Sequence, residues 1–115
     1  MNLPENIVPR LLDDELFEMA NFSPQRTGLR FTVWFSGDPV QKHHRPRGKI
    51  RIEGEYYPFS LDEPLEWLAE LPPGVTSADT KRLTEFVRLN RTVLMAYWNG
   101  DIDTSDLVAG LKRMD

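Results

Sequence analysis

The chain has 115 residues, of which 40% are hydrophobic and 28% charged, and its formal net charge is −4. That length fits one domain with a modest core, and three tryptophans, six phenylalanines and three tyrosines argue against a disordered chain. With no cysteine, disulfides, thiolate nucleophiles and sulfur-based zinc sites are excluded, and the acidic balance argues against a protein that coats nucleic acid over its whole surface.

No run of about 18 apolar residues occurs, so no membrane-spanning helix is expected. Met1 to Ala20 lacks a basic stretch followed by a continuous apolar one, so no signal peptide is expected either. The expectation is a soluble, cytoplasmic protein. Residues 1–28 read as a helix-bearing arm. Pro4 and Pro9 break its start, Asp13-Asp14-Glu15 lead a short helix through Leu16 to Ala20, and Asn21 to Gly28 is rich in turn residues.

From Leu29 the period changes to two. Leu29, Phe31, Val33 and Phe35 share one face, and Arg30, Thr32 and Trp34 share the other. Ser36-Gly37-Asp38-Pro39 signals a turn. Gly48 opens a second strand in which Ile50 and Ile52 face inward and Lys49, Arg51 and Glu53 outward. Glu53-Gly54-Glu55 turns into a third short strand, Tyr56 to Phe59, which Pro58 places at a sheet edge.

Helical signals follow. Ser60 or Asp62 is expected to cap a short helix through Pro64 to Leu68, ended by Pro72-Pro73-Gly74. Thr76 to Asp79 resembles a capping box with aspartate in the carboxylate position. Leu83, Phe86, Val87, Asn90, Val93, Leu94, Tyr97 and Trp98 then mark one face of a long helix stopped at Asn99-Gly100. Asp103 to Asp106 caps a last helix that packs back through Leu107, Val108 and Leu111. A sheet with one apolar face and a helix with one apolar stripe each require the other. The expected fold is therefore α+β: residues 29–115 form a single domain with a three-stranded antiparallel sheet packed on the long C-terminal helix.

The sharpest chemical feature is the charge inversion between these first strands. Lys42, Arg45, Arg47, Lys49 and Arg51 place five cations within ten residues beside the only two histidines, and no carboxylate intervenes between Asp38 and Glu53. Guanidinium forks suit phosphate or carboxylate oxygens. Trp34, Tyr56 or Tyr57 would add stacking surfaces if they share the outer face. The plain alternative is a solvated sheet face. His43 and His44 are poor joint metal ligands, because neighbours on an extended chain point apart and the surrounding cations oppose a metal ion. General acid–base work by either histidine, with Arg45 or Arg47 holding a phosphodiester, describes a small ribonuclease. Asp101, Asp103 and Asp106 lack the glycine and terminal glutamate of a calcium loop and read as caps. Asn90 reads as a cap for a neighbouring backbone group.

The order of parts also carries a resemblance. Phe31 to Phe35, a turn with His43 and His44, Ile50 to Gly54, an acidic segment, and Leu89-Asn90-Arg91 followed by Ala96-Tyr97-Trp98 resemble the domain of unknown function 4160 family over about residues 29–98. Those are small bacterial proteins, some found near toxin–antitoxin genes. The chain has His43-His44-Arg45-Pro46-Arg47 where that family has His-x-His. The resemblance implies a bacterial or phage accessory protein.

Together these readings favour a non-enzymatic binding or regulatory protein whose basic hairpin contacts an acidic partner, nucleic acid or an acidic protein. The expected binding set is Lys42, His43, His44, Arg45, Arg47, Lys49, Arg51 and Trp34. No catalytic residue, metal or cofactor is implied, and oligomeric state is left open. The alternatives are a ribonuclease-like toxin using His43 or His44, and an adaptor using the acidic surfaces.

Overall fold

The computed structural model describes residues 18–37 and 45–115. Among these residues four strands, β1 (Glu18–Phe22), β2 (Thr32–Gly37), β3 (Arg47–Ile52) and β4 (Glu55–Ser60), form one antiparallel sheet in the order β1-β2-β3-β4. Among the described residues three helices accompany it: α1 (Pro24–Thr27), the long α2 (Ser77–Trp98) and α3 (Thr104–Gly110). The sheet packs against α2, and α3 packs against α2 and β1. The fold is α+β, as the two periodicities require, with four strands where three were expected.

The additional strand is β1. The expected helix through Leu16 to Ala20 is overturned in its described part, because Glu18 to Ala20 pairs with β2 from Glu18 opposite Gly37 to Phe22 opposite Val33. Ala20 and Phe22 are buried on the inner face. Two inward apolar residues at period two bring more burial than the local helix preference of Glu, Met and Ala.

Alternation sorts the sheet cleanly. Val33, Phe35, Ile50, Tyr57 and Phe59 are buried against the helices. Phe35 is the hub, with its ring centroid 6.1 Å from Phe59, 6.3 Å from Phe22 and 6.4 Å from Phe86 on α2. Gly48 sits between Phe35 and Phe59 in register. A Cβ there would lie 2.8 Å from both rings, so the missing side chain lets the two rings meet across β3. Glu53 and Gly54 link β3 to β4 with φ of 49° and 84°, the left-handed pair that a tight two-residue hairpin needs.

α2 begins with the expected capping box: the Thr76 hydroxyl accepts from the Asp79 N–H, and the Asp79 carboxylate accepts from the Thr76 N–H, both at 3.0 Å. Such a cap contributes about 1 kcal/mol. Leu83, Phe86, Val87, Asn90, Leu94, Tyr97 and Trp98 are its buried residues. α3 carries a second capping box, Asp103 with Asp106. Leu107 and Leu111 are buried there, whereas Val108, expected to pack back, is 45% exposed.

The helix expected through Pro64 to Leu68 does not form. The Ser60 hydroxyl accepts from the Glu66 N–H at 2.9 Å and from the Asp62 N–H at 3.4 Å. Trp67 then bridges back to Phe59, its ring 5.9 Å from the phenylalanine. Anchoring Trp67 on the core competes with winding a single isolated turn.

Candidate functional site

The outer face of the sheet is set by the same register that fills the core. Thr32 pairs with Arg51, and Arg51 with Tyr56. In the next row Trp34 pairs with Lys49, and Lys49 with Pro58. Arg47, Lys49 and Arg51 alternate with Gly48 and the buried Ile50, so the three cations share the outer face. Rigid pairing on both sides of β3 holds that row in place.

Two aromatic rings join it. Trp34 on β2 and Tyr56 on β4 meet edge to face at 5.8 Å although β3 lies between their strands. The Lys49 Nζ lies 4.6 Å from the Tyr56 ring centroid and the Arg51 guanidinium carbon 5.8 Å from it. Tyr56 is 41% exposed. Cation–π contacts of this kind contribute about 0.5–1 kcal/mol each at exposed sites. Here they also preorganise two positive charges beside a ring. The Trp34 Nε1 is buried without a hydrogen-bond partner among the described residues.

Tyr57 is excluded from this surface, since it points into the core opposite Ile50. By residue type alone Tyr56 and Tyr57 are equals. The strict alternation from Phe59 backward separates them, because the residues facing with Phe59 must include Tyr57.

The expected basic set divides. Lys49, Arg51 and Trp34 come together around Tyr56, which was not in that set. Arg45 turns away. Its guanidinium bonds Asp62 and, at 2.9 Å, Glu66. The Asp62 bond, followed by the one to Glu66, raises its pKa further above the ordinary arginine value. Its charge is thus countered within the chain. Arg47 is half-buried at the far end of the row, and its Nε donates to the Arg45 carbonyl at 3.1 Å. Lys42, His43 and His44 lie outside the described residues.

Beside the outer face lies a cleft of about 490 Å³ whose lining includes Phe31, Thr32, Arg51, Ile52, Glu53 and Pro73. Arg30 braces one side of it. The Arg30 Nη2 donates to the Gly74 carbonyl at 2.9 Å, and its fork grips Asp79 at 2.6 and 3.0 Å. That fork, and next the Thr76 backbone N–H, holds the Asp79 carboxyl well below the ordinary carboxylate range.

No group of three or more potential metal ligands occurs among the described residues, and no helix among them is long and apolar enough to cross a membrane. No family model, curated protein or solved structure matches the chain.

Proposed function

We propose that this is a binding protein rather than an enzyme, and that the outer face of its sheet contacts an acidic partner, single-stranded nucleic acid in the first place. The observation that carries the reading is the Tyr56 ring with Lys49 at 4.6 Å, Arg51 at 5.8 Å and Trp34 at 5.8 Å. Single-strand binders combine cations that follow the phosphates with aromatic surfaces that meet the bases. A purely electrostatic surface needs no exposed tyrosine, and a structural aromatic pair needs no row of cations beside it. Arg51 is exposed and forms no ion pair among the described residues.

The footprint is small. A basic row on an otherwise acidic chain restricts contact to one face, which favours short single strands over wrapping of duplex. The resemblance over residues 29–98 belongs to the same proposal, that of a cytoplasmic accessory protein of bacterial or phage origin.

Fluorescence anisotropy with a labelled single-stranded RNA decamer tests the reading at low and moderate salt. We expect wild type to bind, more weakly as salt rises, and Lys49→Ala/Arg51→Ala to lose about tenfold or more. Absence of binding at low salt, or equal binding by the double variant, overturns it.

A further inference from the structure

We infer that the cleft bounded by Phe31, Thr32, Ile52 and Pro73 is a pocket for one nucleobase of the strand whose phosphates lie on Lys49 and Arg51. This rests on the nucleic-acid reading of the sheet face and names a subsite within it.

Continuity is the first argument. Arg51 lines the cleft and also lies 5.8 Å from the Tyr56 ring. Its register partner Thr32 lines the cleft as well. A chain lying along the outer face from Tyr56 toward the end of β3 therefore passes Arg51 and arrives at the cleft opening.

The chemistry of the walls is the second. Arg30 and Arg51 are the cations of the lining. Arg30 is neutralised by its two-pronged bond to Asp79, which leaves Arg51 as its only cation not tied to a carboxylate among the described residues. Glu53 adds a negative charge to the lining. A pocket for a phosphate or an acidic side chain would gather several uncompensated cations, whereas here Arg51 alone is not tied to a carboxylate among the described residues. Phe31 is buried and carries the Arg30 guanidinium carbon 5.7 Å from its ring centroid; Ile52 and Pro73 supply apolar atoms beside it, and Thr32 and Glu53 supply hydrogen-bonding groups in a lining of mixed polarity. That combination suits a flat heterocycle with polar edges, its charged linkage left outside on Arg51.

Size and support agree. About 490 Å³ falls within the range of small-molecule sites. The wall at Gly74 is held by the Arg30 bond to its carbonyl, and Arg30 is fixed in turn by Asp79 at the capped start of α2.

Two single-stranded decamers separate this subsite from the face that leads to it: one RNA with all its bases, and one of the same length and phosphate spacing with abasic sites throughout. We expect wild type to prefer the base-bearing strand by about fivefold or more, the scale of one stacked base. Thr32→Phe, which fills the cleft from β2, should bring that ratio toward one. Pro73→Trp fills it from the exposed loop and serves the same purpose if Thr32→Phe folds poorly. A ratio unchanged in the variants overturns the cleft as a base pocket while the face reading stands. A wild-type ratio near one, or equal competition by a deca-glutamate peptide, overturns it in favour of a surface that reads charge alone. No binding of either strand removes both proposals.

Discussion

Asn90 and Lys112 exchange two hydrogen bonds. The Lys112 N–H donates to Asn90 Oδ1 at 2.6 Å, and Asn90 Nδ2 donates to the Lys112 carbonyl at 3.0 Å. The side chain of a buried helical residue thus pairs with the last segment as a neighbouring strand would. The same segment is tied down by the Met114 N–H donating to the Thr27 carbonyl at 2.8 Å and by Arg26 donating to the Val108 and Leu111 carbonyls. Replacing Asn90 by alanine leaves both Lys112 backbone groups without that partner. We expect Asn90→Ala to lower the unfolding free energy by about 2 kcal/mol. Hydrogen exchange at Lys112 should accelerate more than at Leu83 in the same helix.

The bond between Arg30 and Asp79 makes stability depend on acid. The Asp79 carboxyl is held below its unfolded value. Its contribution is therefore complete above the ordinary aspartate pKa of about 3.9 and is lost as pH falls from there toward the folded value. Asp79→Asn should be less stable than wild type at neutral pH, and the difference should shrink below about pH 4. Urea unfolding of both proteins at neutral and acid pH measures this. A difference that stays constant counts against the assignment.

Gly48 should tolerate no side chain. Gly48→Ala puts a methyl 2.8 Å from Phe35 and Phe59, and the expected loss is about 1–3 kcal/mol. Phe59→Leu combined with Gly48→Ala should cost less than the sum of the two single changes, because the shorter side chain vacates the space. Denaturation midpoints of the three variants decide it.

On the outer face the arginines should behave differently from one another. Arg51→Ala should lower the magnitude of the slope of log affinity against log salt by about 1, as a phosphate contact does. Arg45→Ala should leave the slope as it is, because that charge is taken by Asp62 and Glu66. Tyr56→Ala should weaken binding at every salt concentration, as loss of a stacking surface does. Anisotropy titrations at four salt concentrations distinguish the three.

Much of this was legible in the residues because periodicity is a local signal. Alternation from Leu29 to Phe35 and from Gly48 to Ile52 is enough to assign faces, and Thr76 with Asp79 carries its own cap geometry within four residues. Asn90 was also readable, as a polar residue within an apolar stripe that had to find backbone partners. What escaped depends on distant parts of the chain. Arg45 reads as a free contact until the fold brings Asp62 and Glu66 to it. β1 carries helix-forming residues and becomes a strand only because β2 offers an unpaired edge. The stretch from Pro64 to Leu68 contains helix formers and a capping serine, yet Trp67 is captured by Phe59. The cleft joins the ends of β2 and β3 to the loop before α2, so no local pattern announces it.

The hairpin at Glu53-Gly54 decides more than a reversal of direction. Because two tyrosines stand side by side after it, one inserted residue would exchange their roles, turning Tyr57 to the solvent and Tyr56 to the core. A phenol ring would then face Lys49, and Glu55 would stand opposite Arg51. Phe59, however, would leave its place opposite Gly48, and the core would oppose the change. The length of that turn is thus constrained from the far side of the sheet: the core keeps the count of residues that the exposed face relies on.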